Sequence, residues 1–89
     1  MKNELTKLPN IGKILAEKLE KAGIVSADEL KQMGSEKALL KIAASQRDDV
    51  CIDMLYALEG AIQGIRWHGL DPGRKQELLH FYRTMEQQE

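Results

Sequence analysis

Residues that stop or start helices recur along this chain at intervals too short for any long helix. Pro9 disfavours helical geometry at the residue before it, and Gly23 and Gly34 each close a short amphipathic segment. Asp71 and Pro72 are typical of a helix start, with the proline in the first helical position. No segment alternates polar and β-branched residues in the manner of a strand. The sequence therefore predicts an all-α fold, a compact bundle of about five short helices.

Further start signals fit the same division. Ser26 and Glu29 have the spacing of a capping box, in which each side chain satisfies a free backbone N–H near the other. Ser35 is predicted to cap the following helix. Asp48 and Asp49 are predicted to start the next one, because acidic side chains stabilise the positive end of a helix.

The segment from about Val50 to Ile65 is the most apolar part of the chain. A helix that is apolar around so much of its circumference is usually buried in the centre of a fold. Gly60 and Gly64 lower the helix propensity of this segment by roughly 1 kcal/mol each relative to alanine. The two glycines therefore predict close approach of a neighbouring backbone.

The length of the chain allows one domain, residues 1–89, with a core at about residues 5–85. Its 13 basic and 14 acidic side chains leave a net charge of −1, so binding to nucleic acid by bulk charge is excluded. Any contact with DNA or RNA must use a small local site. No apolar run approaches the roughly 20 residues that span a bilayer, and no signal-peptide core follows Met1. The sequence predicts a cytoplasmic protein without membrane contact.

The segment LPNIGKILA, residues 8–16, is the sharpest local signal. A short helix, a tight turn with a glycine and an amphipathic helix form a helix-hairpin-helix arrangement. Free N–H groups at the start of a helix favour an anion, and a glycine lets another surface come close. A nearby lysine adds charge. The segment predicts a contact with one nucleic-acid phosphate that reads no bases, made by Asn10, Ile11, Gly12 and Lys13, with Lys7 as a second lysine.

A structural interpretation of the same turn stays open. A Pro-x-x-Gly turn between two apolar helices reverses the chain whether or not anything binds to it. Nucleic-acid-binding hairpins usually have glycine where this chain has Asn10. Asparagine tolerates left-handed backbone geometry, but its side chain is large enough to shield an anion site.

Three motifs together resemble the C-terminal domain of the TfoX (Sxy) competence-regulator family. They are LPNIGK at 8–13, DMLYALEGAIQG at 53–64 and RWH at 66–68, and the resemblance extends over roughly residues 5–83. It implies a compact helical domain of the helix-hairpin-helix or SAM-like kind, in a bacterial cytoplasm and associated with transcriptional control of DNA uptake. In the full-length regulators of that family, this domain follows a separate N-terminal domain.

Aromatic residues near helix ends favour a second hypothesis, a protein-interaction module. Aromatic side chains dominate the binding energy of protein interfaces, although a tryptophan beside a helix end more often closes a small core. Phe81 and Tyr82 are neighbours, so a single helix face cannot bury both fully. The predicted partners are therefore DNA or transcription proteins, or a second copy of the chain, and the candidate protein-interaction residues are Trp67, Phe81 and Tyr82.

The sequence gives little support for a catalytic site or a metal site. His68, His80 and Cys51 lack the three- to five-residue spacing of zinc ligands, so no metal site is predicted. Cys51 is expected to act as a small hydrophobe on the apolar stripe of the central helix. The chain contains no P-loop, dinucleotide fingerprint or Ser/His/Asp grouping, which predicts a protein that is not an enzyme and needs no cofactor.

Overall fold

The described part of the chain contains five α-helices, so the all-α prediction is confirmed. The computed structural model describes residues 4–46 and 49–87, and it contains no strand within those ranges. The helices are α1 Lys13–Lys21, α2 Ala27–Met33, α3 Ser35–Ser45, α4 Ile52–Gln63 and α5 Pro72–Glu86. Single 3₁₀ turns lie at Glu4–Lys7, before α1, and at Trp67–Gly69, between α4 and α5. None of the helices described is long and apolar enough to cross a membrane.

Two predicted helix caps are confirmed. The Ser26 hydroxyl accepts a hydrogen bond from the N–H of Glu29 at 3.1 Å, and the Glu29 carboxylate accepts one from the N–H of Val25 at 3.1 Å. At the start of α5, Asp71 accepts from the N–H of Arg74 at 3.2 Å. Each of these bonds spans three or four residues, so the local sequence is enough to specify it.

The start of α3 differs from the prediction. Gly34 is the cap residue, and Ser35 is already the first residue of the helix. Gly34 has a φ of +90°, which lets α2 end and α3 begin with one residue between them. The Ser35 hydroxyl, instead of capping the helix, donates a hydrogen bond to the buried carboxylate of Glu59 at 2.7 Å.

The start of α4 also lies later than predicted. Asp48 falls outside the described residues, and Asp49 precedes the helix and pairs with Lys18 at 3.2 Å. The expectation that Cys51 is a core hydrophobe is wrong, because its side chain is exposed. Cys51 has the extended backbone of a cap residue, and this removes its side chain from the apolar stripe that begins at Ile52.

Helix α4 lies at the centre of the fold, as its composition predicted. It packs against α2, α3, α5 and the Trp67–Gly69 turn. Leu55, Leu58 and Ala61 on this helix are fully buried. They share the core with residues from every other helix, including Leu19, Leu30, Leu39, Ile42 and Leu78.

The two glycines of α4 have different roles. A Cβ at Gly60 would lie only 2.8 Å from the carbonyl oxygen of Ile65 and 3.1 Å from the Cα of Trp67, so the predicted close backbone approach is confirmed there. At Gly64 the prediction is wrong, because a Cβ would meet nothing within 4 Å. Gly64 instead ends α4 in the left-handed conformation, with a φ of +78°.

Candidate nucleic-acid interface

The predicted phosphate-binding turn joins the first 3₁₀ turn to α1 and is anchored in the core at both ends. Leu5 is fully buried, and Ile11 is 5% exposed. The N–H of Ile11 donates a hydrogen bond to the carbonyl of Leu8 at 3.4 Å. Ile11 was predicted to share in the phosphate contact, but its side chain is part of the core and its N–H closes the turn, so its amide is not among the free donors.

The amides that follow Ile11 are open. Gly12 is the cap residue of α1, and no side chain in the described part of the chain caps the helix. The first intrahelical bond runs from the N–H of Ala16 to the carbonyl of Gly12 at 3.0 Å. The N–H groups of Lys13, Ile14 and Leu15 precede that bond and so have no helical acceptor.

The surface around these amides is accessible. Gly12, Lys13 and Lys7 are exposed, and a Cβ at Gly12 would meet nothing within 4 Å. Ile14 is 70% exposed, an unusual value for a large apolar side chain. It borders an open, largely apolar groove of about 600 Å³, which Leu15 and Met54 also line. The start of α1 thus combines unpaired donors, one adjacent lysine and an apolar neighbour.

Asn10 belongs to the structure of the turn and does not shield the amides. Its φ of +69° is left-handed, and its side-chain amide donates to the carbonyls of Ile65 at 2.9 Å and Ala57 at 3.4 Å. Its side-chain oxygen accepts from the N–H of Trp67 at 3.1 Å. We call these contacts the Asn10 latch. They hold the turn against the end of α4 and direct the Asn10 side chain into the domain.

The latch brings the turn next to an aromatic stack formed by Tyr56, Trp67 and His68. The Trp67 ring stacks on Tyr56 at a centroid distance of 5.8 Å and on His68 at 4.1 Å. The ammonium group of Lys75 lies 5.2 Å from the centroid of the Trp67 ring and 5.7 Å from that of Tyr56. Trp67 is half-buried and packs against the core. Sequence reasoning missed this arrangement, since Tyr56 and Lys75 come from two other helices.

Phe81 and Tyr82 lie on α5, and both are half-buried against the core, in keeping with the expectation that one helix face cannot bury both fully. Burial raises the pKa of the Tyr82 hydroxyl, and the negative charge of Glu86 adds to the effect. Of the three predicted interaction residues, Trp67 lies beside the predicted phosphate-binding turn, and Phe81 and Tyr82 lie on α5.

A buried ionic group, which we call the Glu59 cluster, joins three helices. The Glu59 carboxylate accepts hydrogen bonds from Ser35 of α3 at 2.7 Å, Gln63 of α4 at 2.6 Å and Arg74 of α5 at 3.1 Å. Burial opposes ionisation of Glu59, but these hydrogen bonds and the positive charge of Arg74 outweigh it and lower its pKa. The hydrogen bond to Glu59 is the main reason that the pKa of Arg74 is raised. Arg74 also pairs with two further carboxylates, Glu77 and Glu36.

The chain matches the family model of the TfoX C-terminal domain over residues 1–82, a span that includes the turn, the Asn10 latch and the aromatic stack. It belongs to the TfoX C-terminal domain family. One relative, the DNA transformation protein TfoX1 of Aliivibrio fischeri, is 31% identical over 75 residues. That match covers 84% of this chain and 36% of the relative, so this TfoX C-terminal domain spans about a third of the relative's length.

Solved structures with the same fold come from Listeria monocytogenes. An uncharacterized protein, in a triclinic crystal form, has 54% sequence identity and a TM-score of 0.89, covering 92% of both chains. A protein of unknown function, in a tetragonal form, has 53% identity and a TM-score of 0.87, covering 91% of this chain and 98% of that one. These similarities establish the fold of this TfoX C-terminal domain. The descriptions of the two Listeria proteins name no activity.

In residues 4–46 and 49–87 of this TfoX C-terminal domain, no three His, Cys, Asp or Glu side chains form a group able to hold a metal ion. The start of α1 offers a ligand N–H groups that have no helical acceptor. The Glu59 carboxylate is occupied by hydrogen bonds from its own neighbours, so the Glu59 cluster is structural.

Proposed function

We propose that this TfoX C-terminal domain is a cytoplasmic, non-enzymatic regulatory or adaptor domain in the control of DNA uptake, and that it contacts a nucleic-acid phosphate at the start of α1. The name of the TfoX1 relative, a DNA transformation protein, supports the link to DNA uptake. The observation that carries the phosphate contact is the uncapped, exposed N-terminus of α1, with the Asn10 side chain directed away from it.

The geometry suits an anion of the size of a phosphate. Gly12 has no side chain to hold a ligand away, and the N–H groups of Lys13 and Ile14 come before the first intrahelical bond. The aligned peptide dipoles of α1 place partial positive charge at the same point. Lys13 adds a full charge there, and Lys7 is the second lysine of the turn. Such a contact holds the sugar-phosphate backbone without reading its sequence.

The phosphate contact predicts a shallow dependence of affinity on salt. If about two phosphates are neutralised, log affinity for duplex DNA should fall with log salt at a slope near −2. Lys13→Gln should weaken binding to all sequences alike and reduce that slope by about one. The measurement is fluorescence anisotropy of labelled DNA at several salt concentrations. Lys31→Gln is the matched control, because Lys31 is exposed on α2. Absence of binding at low salt, or equal effects of the two substitutions, would contradict the proposal.

A second candidate function is self-association through the apolar groove. The exposed Ile14 at the edge of the groove supports it, because two copies could bury this side chain against each other in a symmetric contact. Sedimentation equilibrium should then show a dimer for the native chain and a monomer for Ile14→Ser. Val25→Ser is the control, since Val25 is 57% exposed but lies between α1 and α2. A native chain that stays monomeric at high concentration would exclude this candidate.

A further inference from the structure

We infer that the aromatic stack of Tyr56, Trp67 and His68 is a platform for an unpaired nucleobase, so that this domain binds single-stranded nucleic acid in preference to duplex. The inference rests on the proposed phosphate contact and deepens it, because it names the kind of strand that the site takes. The ligand chemistry is a base together with a neighbouring phosphate, which single-stranded DNA and RNA share.

The ring geometry is the first support. The Trp67 and His68 rings are 4.1 Å apart at their centroids and inclined by 27°, and Tyr56 continues the arrangement with an inclination of 16° to Trp67. His68 is exposed, so the stack ends in a flat ring that faces solvent. A Cβ at the next residue, Gly69, would meet nothing within 4 Å. Proteins that bind single strands use such exposed rings, since every base has a face that can stack.

The charge beside the rings is the second support. The Lys75 ammonium lies within 6 Å of two ring centroids, at 5.2 Å from Trp67 and 5.7 Å from Tyr56. Arg66, which precedes the stack, is exposed. Among the residues that the structure describes, neither cation forms an ion pair with a carboxylate. The Lys75 ammonium over the Trp67 and Tyr56 rings, with Arg66 next to Trp67 in the chain, places positive charge near the stack, which complements the phosphates that flank a nucleotide.

The position of the stack relative to the turn is the third support. The side-chain oxygen of Asn10 lies 3.1 Å from the N–H of Trp67. Gly12 follows Asn10 by two residues, a stretch of chain that spans at most about 7 Å. The backbone of Trp67 therefore lies close to the turn that leads into α1, and the strand that we infer runs from the start of α1 across this turn to His68. A duplex cannot do this, because its bases are already stacked on one another and must be extruded before a ring can reach them.

The single tryptophan of the chain gives a direct test. The domain is titrated at low salt with four labelled ligands, each about 12 nucleotide units long, and the readouts are anisotropy and Trp67 emission. The ligands are oligo-dT, oligo-rU, a duplex and a phosphodiester strand without bases. Oligo-dT or oligo-rU should change the Trp67 emission and bind at least about tenfold more tightly than the abasic strand. The comparison of these two strands separates DNA from RNA as the source of the base.

Variants assign the effect to the stack. His68→Ala should reduce affinity for the base-bearing strand by about tenfold and leave affinity for the abasic strand unchanged. His68→Phe, which keeps a ring, should retain tight binding. His80→Ala is the matched control, because His80 is the other histidine and is exposed on α5. Circular dichroism of each variant verifies that it is folded.

The outcomes separate the inference from the proposed function. If the abasic strand or the duplex binds as tightly as the single strand, or if His68→Ala has no effect, the inference is overturned, while a loss on Lys13→Gln leaves the phosphate contact standing. If no oligonucleotide binds at low salt, both are overturned, and a protein partner becomes the remaining use of this surface.

Discussion

Gly60→Ala should lower the free energy of unfolding by about 2–3 kcal/mol, although alanine is the better helix former. An added Cβ would lie 2.5 Å from the side-chain nitrogen of Asn10 and 2.8 Å from the carbonyl oxygen of Ile65, closer than atoms can approach. The Asn10 latch would have to separate. Its three hydrogen bonds, which stabilise the fold by about 0.5–1.5 kcal/mol each, would be lost or distorted. That loss exceeds the roughly 1 kcal/mol gained in helix propensity.

Chemical unfolding followed by circular dichroism measures this effect, and a double-mutant cycle identifies its cause. Asn10→Ala removes the same hydrogen bonds and adds the penalty of a left-handed alanine. The two substitutions should therefore be strongly non-additive when combined. Gly69→Ala is the control, since a Cβ there meets nothing within 4 Å and should change stability little. Additive effects, or a Gly60→Ala variant as stable as the native chain, would show that the latch is not made.

Glu59→Ala should destabilise the domain by about 3 kcal/mol, because it removes one partner of a buried ion pair. Glu59 is 8% exposed and, among residues 4–46 and 49–87, is the only buried acidic residue. Without it, Ser35 and Gln63 lose an acceptor, and Arg74 keeps its charge beside the core. Glu77→Gln is the matched control. Glu77 also pairs with Arg74, at 3.0 Å, but its side chain is 69% exposed, and such pairs contribute at most about 1 kcal/mol.

The lowered pKa of Glu59 predicts how the stability of the domain changes at acidic pH. Burial alone would raise that pKa, but the hydrogen bonds and the charge of Arg74 lower it below its ordinary value. A carboxyl group whose pKa is lower in the folded state stabilises the fold fully above its unfolded pKa and loses this contribution as the pH falls through the folded value.

Unfolding measured between about pH 7 and pH 3 should therefore show a loss of stability below about pH 4 that is smaller in Glu59→Gln, which has no carboxyl to protonate. Glu59→Gln replaces a buried side chain, so we first check that this variant is folded at neutral pH. Parallel stability curves for the native chain and Glu59→Gln would mean that Glu59 does not contribute to the acid sensitivity.

Local interactions explain why the helices could be predicted. The caps at Ser26 and Asp71 depend on partners three or four residues away, and the central place of α4 follows from its apolar circumference. The predicted start of α3 fails for the opposite reason. Ser35 has the side chain of a cap, but a carboxylate 24 residues away binds its hydroxyl. The local sequence contains no sign of that competitor.

For this protein the amino-acid sequence by itself determined the all-α class, the helix caps at Ser26 and Asp71 and the family, since each depends on periodicity, neighbouring residues or contiguous motifs. Only the tertiary structure determines which groups are exposed on the surface beside α1. The hydrogen-bond partners of Asn10 lie 47, 55 and 57 residues along the chain, so only the folded molecule shows that its side chain is directed inward. The same packing sets Trp67 on Tyr56 and places the N–H of Trp67 against the turn that precedes α1. Contacts between residues so far apart in the sequence depend on how the helices pack, and local sequence patterns do not predict that packing.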